Sequence, residues 1–463
     1  MKQSKTAGNL SLGQYKSRYK SWKCKAILRG EENIALRKRI KELETSRDKW
    51  RSKCQVLKKE GREGSILGGE KASRHKYSLV LIALILEFHR YGSMSLRSCR
   101  HCVSCMLLSL GLSSSIPSHS SIRNWLCKCG YYRIKEGGET AGDYVIYVDE
   151  SIVFGSEKML LILGVSEGNI PTNRGLTHSD MEVLYVGASQ QWKGEDIAAE
   201  LVKIGKNKRI KYVVSDEGNN LKNAYKSLSY IHIEDCTHIL ANHLKHIYGA
   251  TDEFEEFRKL IGTLRKEWNL SKEKSRYMPP TMRGKMRFAN IFPCVAWAKS
   301  MRENWTNLSP KVQESLQFLQ EKEAFIQSLI EVEIVFKTVC QTLKTEGFGE
   351  VQKATILAQL ATMKVQEKAA IFIENCTQYL QNLATKSQEL GQKHLLCSSD
   401  IIESYFGKFK TKINPNNRSG LTEFIFTIAN FSRSFSIEET KDALENVTLK
   451  DIILIKKHHK VPQ

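Results

Sequence analysis

Tyr144-Val145-Ile146-Tyr147-Val148-Asp149-Glu150 is a run of strand-forming residues that ends in acid. Tyr, Val and Ile suit a pleated, buried surface, and an unbroken run of them predicts a central strand covered on both faces. A carboxylate at the tip of such a strand must be paired, hydrogen-bonded or bound to a metal. Asp149 is therefore read as the first ligand of a metal site.

The strand pattern continues outward from this run. Lys158 to Val165, Met181 to Ala188, Lys211 to Ser215 and Tyr230 to Ile233 predict four more strands. An amphipathic helix opens at Lys193-Gly194-Glu195-Asp196 and runs through Ile204, and a short one spans Leu221 to Leu228. Three strands, helix, strand, helix, strand is the order of a mixed five-stranded sheet. It is the order of the α/β ribonuclease-H-like fold, in which the first and fourth strands are neighbours. On that topology Asp149 and Asp216 sit at equivalent strand ends. Hard oxygen ligands so placed suit Mg²⁺ or Mn²⁺, and a two-ion site needs a third acid. Ser398-Ser399-Asp400-Ile401-Ile402-Glu403-Ser404-Tyr405-Phe406-Gly407-Lys408 predicts a capped helix with Ile401, Ile402, Tyr405 and Phe406 turned inward. Glu403 lies beside that stripe and is the preferred third acid; Asp400 is the competing choice.

The chain has 463 residues, enough for two to four domains. Lysine and arginine outnumber acids by 71 to 50, a net charge of +21, which favours nucleic acid or an anionic membrane surface as partner. The first 60 residues hold a disproportionate share of that excess and form a basic helical arm. Leu36, Ile40, Leu43, Trp50, Cys54 and Leu57 fall on a heptad register with Arg47 at the intervening position, so residues 36 to 57 read as a short coiled coil or as a solvated charged helix. The longest apolar run, Tyr77 to Phe88, is too short to span a bilayer and no export signal precedes it. A soluble, intracellular chain with no membrane partner is expected, its twelve cysteines reduced.

Residues 61 to 74 read as a glycine-rich linker, and 75 to 138 as a helix-turn-helix module. Its third helix, Ile122 to Cys129, is capped by Ser118 or Ser120 and stopped by Gly130. His119, Ser120, Arg123 and Asn124 would then face a DNA major groove, with Trp125 in the core. Generic three-helix packing also explains the pattern. Cys99, Cys102, Cys105, Cys127 and Cys129 could suggest zinc, but three of them follow one helix, and small core residues are the better reading. Residues 139 to 249 form the first part of the α/β core and 397 to 435 its last helices. Between them, 250 to 396 read as all-helical, with runs at Glu253 to Trp268, Pro310 to Thr345 and Val351 to Leu390. Residues 436 to 463 are a C-terminal tail. His238, His243 and His246 share a helix and read as ordinary hydrogen-bonding histidines rather than zinc ligands.

Asp149, Asp216 in Val-Val-Ser-Asp-Glu-Gly, and Glu403 in Ile-Ile-Glu-Ser-Tyr-Phe-Gly-Lys-Phe-Lys together resemble the DDE triad of bacterial insertion-sequence transposases, relatives of retroviral integrases. Asp235-Cys236-Thr237-His238 is similar to the C/D-x2-H motif that follows the second acid in many of them, and Glu403 with Lys410 to their E-x6-K. In the fuller motif a Tyr and an Arg would stand at Leu396 and Ser399, so that half is absent. The resemblance covers residues 75 to about 435, with Ile116 to Trp125 in the DNA-binding module. It implies a DNA transposase whose three acids hold two Mg²⁺ ions, or Mn²⁺ in their place. Its partners would be the terminal repeats of a mobile element and target DNA, bound by a homodimer or higher oligomer in the bacterial cytoplasm at the nucleoid. The helical insertion is similar to that of several cut-and-paste transposases, which makes Trp297 and Trp305, near the basic run Arg283-Gly284-Lys285-Met286-Arg287, candidates to stack on an unpaired base; the core is the simpler place for them. Lys408, Lys410 and Lys412 would reach phosphates or form a solvated face. A nuclease of the same fold without strand transfer, or a DNA-binding protein with a dead site, are the alternatives.

Overall fold

The computed structural model describes residues 12–60, 69–112, 115–154, 157–171, 174–281, 288–413 and 421–452. Most of the 61–74 linker, the basic run at 283–287, the end of the C-terminal tail, and the side chains of Trp50, Cys54 and Leu57 lie outside that description. The chain divides into two units, one of residues 1–68 with 104–115 and one of residues 69–103 with 116–463.

The first unit carries α1 (Leu12–Glu60), a single helix of 49 residues. Its Leu36, Ile40 and Leu43 are more than half exposed.

The second unit is built on a mixed sheet. After α2 (Leu79–Arg90), α3 (Leu96–Ser109, which ends in the first unit) and α4 (His119–Glu139) come β1 (Gly142–Phe154), β2 (Glu157–Ser166) and β3 (Glu182–Ser189). Then follow α5 (Gly194–Gly205), β4 (Lys208–Ser215), α6 (Asn219–Ser227) and β5 (His232–Glu234). The spatial order is β3-β2-β1-β4-β5, with β1 antiparallel to β2 and parallel to β4. The architecture is α/β, and its sheet order is consistent with the ribonuclease-H-like expectation. β1 is central, and the alternation along it explains its composition. Val145 and Tyr147 pack into one core with the helices that follow the sheet, whereas Tyr144, Ile146 and Val148 pack into a second with α5 and α6. Both faces are covered, so from Tyr144 to Val148 no charged residue interrupts the strand.

After β5 the described chain is helical: α7 (Cys236–Tyr248), α8 (Asp252–Trp268), α9 (Phe292–Glu303), α10 (Pro310–Leu316), α11 (Phe318–Glu321), α12 (Glu323–Glu346), α13 (Glu350–Ala361) and α14 (Glu367–Leu390). The long runs expected at 310–345 and 351–390 are each broken, at Gln317 and Lys322 in the first and over 362–366 in the second. A bridge between Phe348 and Leu395 ties the α12–α13 turn to the chain entering α15 (Asp400–Lys410). A 3-10 helix, Glu423–Phe431, and α16 (Ile437–Asn446) complete the unit.

Two expectations are corrected. The segment from 436 is not simply a tail, because Ser436 caps α16 and α16 packs on α2 and α4. The helix beginning at 119 does not stop at Gly130 but continues to Glu139. There the backbone of the 3-10 helix comes so close that a Cβ on residue 130 would lie 2.0 Å from the Phe426 carbonyl oxygen. Gly130 is a contact point, not a terminator. Finally, α2 and α4, from the segment expected at 75–138, fall in the unit that holds the sheet. Arg133, nearly buried on α4, shows how firmly they are joined: it donates to both carboxylate oxygens of Glu439 and to the carbonyls of Asn430, Arg433 and Ser434.

Candidate functional site

Asp149 does not end its strand. β1 runs on to Phe154 as a hairpin with β2, where Asp149 lies opposite Leu161. What ends is its other neighbour. The parallel ladder with β4 closes at Tyr147 opposite Val214, two residues before Asp149 on β1 and two before Asp216, which stands just past the end of β4. Alternation gives Asp149 the face of Val145 and Tyr147. Adjacent strands lie roughly 5 Å apart, so the chains that carry the two aspartates part from neighbouring positions. Both act electrostatically on the buried Tyr225 hydroxyl, Asp216 the more strongly; burial comes first among the causes that push that phenol far above its usual range. Asp216 is held in a turn, its Oδ1 accepting from the Gly218 amide at 3.0 Å.

Glu403 comes from α15, which packs against β1. Ile401, Ile402, Tyr405, Phe406 and Phe409 anchor that helix in the core shared with Val145 and Tyr147. Glu403 is partly exposed, with Oε1 3.5 Å from Nε2 of His238 at the start of α7. Asp400, the competing acid, is instead bound to Lys344 at the end of α12, 2.6 Å away.

Asp235 positions these parts. Its carboxylate is buried, with Oδ1 accepting from the His238 amide at 2.8 Å and Oδ2 accepting from the amide and hydroxyl of Ser399 at 2.6 and 2.9 Å. Its own amide donates to the carbonyl of Ser215, one residue before Asp216. A single residue thus fastens the end of β4, the start of α7 and the start of α15. The sequence marked Asp235 and His238 as a motif but gave no sign of Ser399 as partner, because 164 residues separate them. Glu217 adds a second brace that the sequence did not single out, taking hydrogen bonds from Lys222 on α6 and Asn242 on α7.

The three expected donors are carboxylates, the chemistry of a hard divalent cation such as Mg²⁺ or Mn²⁺. Among the described residues, however, no group of three or more His, Cys, Asp and Glu side chains is placed so that it could hold a metal ion.

The other expected contacts are more scattered. His119 and Ser120 are exposed at the start of α4, whose cap is Ser118. Arg123 is turned inward, 2.5 Å from Glu423 and bonded to Thr422, and Asn124 is half-buried. Arg123 therefore serves the junction between α4 and the 3-10 helix, in the wall of a cleft there. Its partner lies 300 residues away, beyond the reach of any local pattern. Lys410 is exposed, whereas Lys408 lies over the Phe431 ring at 4.9 Å and Lys412 donates to the His89 carbonyl. Burial pulls Lys412 down to about 8 and lowers Lys408 as well. Trp297 donates to the Tyr277 carbonyl at 2.8 Å, and both it and Trp305 pack against the helical core, half-buried. Cys99, Cys127 and Cys129 are buried, as a core role requires; Cys102 and Cys105 are progressively more exposed.

No family model matches the chain, and the search of curated proteins found no match. No described helix is long and apolar enough to cross a membrane.

Proposed function

We propose that the protein is a DNA transposase of the DDE type, with a ribonuclease-H-like core, an all-helical insertion between β5 and α15, and α2–α4 as a helix-turn-helix-like DNA-binding element. The observation that supports this reading is the parallel pairing of β1 with β4, which ends two residues before Asp149 and Asp216, with the Glu403 helix packed against β1. Asp149, Asp216 and Glu403 would hold two Mg²⁺ ions, which when bound supply activation of the attacking oxygen and charge neutralisation on the leaving one. Asp235 ties the end of β4 to the starts of α7 and α15. His238 orients Glu403, and Lys410 offers an exposed charge to a flanking phosphate. The basic arm adds non-specific affinity for DNA, and the exposed Leu36, Ile40 and Leu43 offer a seam for pairing two chains. In the reaction this fits, water opens the phosphodiester at an element's end and the freed 3′-hydroxyl attacks target DNA, without a covalent protein intermediate.

The test is a joining assay with a pre-cleaved duplex end, target DNA and Mg²⁺. Joined product is expected from the native chain. Asp149→Ala should lower it at least about a hundredfold while DNA binding persists. Cleavage without joining would replace the transposase with a nuclease, and product unaffected by Asp149→Ala would remove the assignment.

A further inference from the structure

A cleft of about 380 Å³ opens in the second unit between the α2–α3 turn, the start of α4, the end of α15 and the 3-10 helix. Leu96, Phe409 and Phe424 line it with apolar surface; of the basic residues in its wall Arg123 is paired with Glu423 and His89 is buried, and Arg97, His119 and Lys412 supply the remaining cationic or protonatable groups. Among the described residues no carboxylate lines it. Those three basic residues come from three different elements. Lys412 is held against the α2 carboxyl end through the His89 carbonyl, with burial drawing its pKa down to about 8, so the ammonium is partly desolvated with a neutral acceptor for partner. A second lysine, Lys408, depresses it further. An anion placed there would restore what burial removes.

Charge alone would suit inorganic phosphate, but phosphate would leave the apolar floor uncovered. Phe409 and Phe424, with ring centroids 6.3 Å apart, belong to that floor together with Leu96. A ligand that satisfies both halves has a flat apolar part and an anionic part joined by a short linker. A nucleotide is such a ligand. Phe409 lies six residues after Glu403 on α15, roughly 9 Å along the helix axis, so one strand can pass from the carboxylates to the cleft.

We propose that this cleft holds one unpaired nucleotide of the bound DNA, its base over Leu96 and Phe424 and its phosphate among Arg97, His119 and Lys412. The inference rests on the reading of the protein as DNA-binding and gives that reading a second site, apart from the carboxylates. It also moves the contact with an unpaired base away from Trp297 and Trp305, which are engaged in the helical core.

The experiment uses the full chain and three fluorescent duplexes: blunt, with a three-nucleotide single-stranded extension, and with the same extension made abasic. The extended duplex should bind about tenfold more tightly than the blunt one, and the abasic extension should lose most of that preference. In Arg97→Ala, at an exposed position, the ratio of extended to blunt affinity should fall several-fold. An extension carrying 5-iodouracil should crosslink, in the native chain, to the peptides bearing Leu96 or Phe424. Equal affinity for extended and blunt duplexes, or crosslinks confined to other peptides, would overturn the cleft while leaving DNA binding intact. An abasic extension as good as the intact one would reduce the site to phosphate alone and overturn the nucleotide. Failure to bind any of the three duplexes would overturn the DNA reading itself.

Discussion

Asp235 concentrates more of the site's organisation than any of the three proposed catalytic acids. A buried carboxylate with three hydrogen bonds is stable only while its donors stay in place, and those donors belong to two helix starts. Asp235→Ala should therefore lower unfolding stability by about 3 kcal/mol in urea melts, and Asp235→Asn by less, since the amide keeps one acceptor oxygen. Glu439 makes a second test at this scale. Burial raises its pKa, but the bonds from Arg133 and then Arg433 outweigh that and leave it below its ordinary value. A carboxylate with a lowered folded pKa contributes stability that is complete above its unfolded value and drains as pH falls through the folded one. Urea midpoints taken from neutral pH to below about 4 should fall more steeply in the native chain than in Glu439→Gln. Residue types at the site were legible in the sequence because strand propensity followed by acid is a local signal. Which side chains hold one another was not, as Arg123 shows: its exposed-looking helical position is claimed by Glu423 from the far end of the chain.

At the scale of elements, the strands were the most readable part. Each of the five expected strands is present, and the pairing of β1 with β4 followed from their order. Helix ends were less readable, since a helix stops for tertiary as well as local reasons. Gly130 has the local appearance of a stop signal, yet α4 passes through it to meet the 3-10 helix. A glycine at a free helical position and one at a backbone contact predict opposite signs. At a free helical position Gly→Ala stabilises by about 1 kcal/mol, whereas here the added methyl meets a backbone carbonyl. Gly130→Ala should lower stability by about 2 kcal/mol, read from thermal or urea unfolding; a gain would show the contact to be loose. Likewise the breaks at 317, 322 and 362–366 arise where helices turn to pack on α7, α9 and α14, a choice no periodicity encodes.

Across the whole molecule the excess of positive charge is the property that composition alone could announce, and it belongs to binding rather than to folding. If DNA is the partner, binding should weaken steeply with salt, the logarithm of affinity falling with a slope of at least roughly −4 against the logarithm of salt concentration. A slope near zero would separate the charge from the function proposed. The sheet contributes two of the three acids early in the chain and the third only near its end, and Asp235 meets Ser399 across the entire helical stretch between them. Synthesis on the ribosome therefore delivers the parts in an unequal order. A nascent or prematurely terminated chain that lacks residue 399 owns both aspartates but has neither the glutamate nor the latch that would seat it, so on the proposed reading only translation through the last acid can arm the protein.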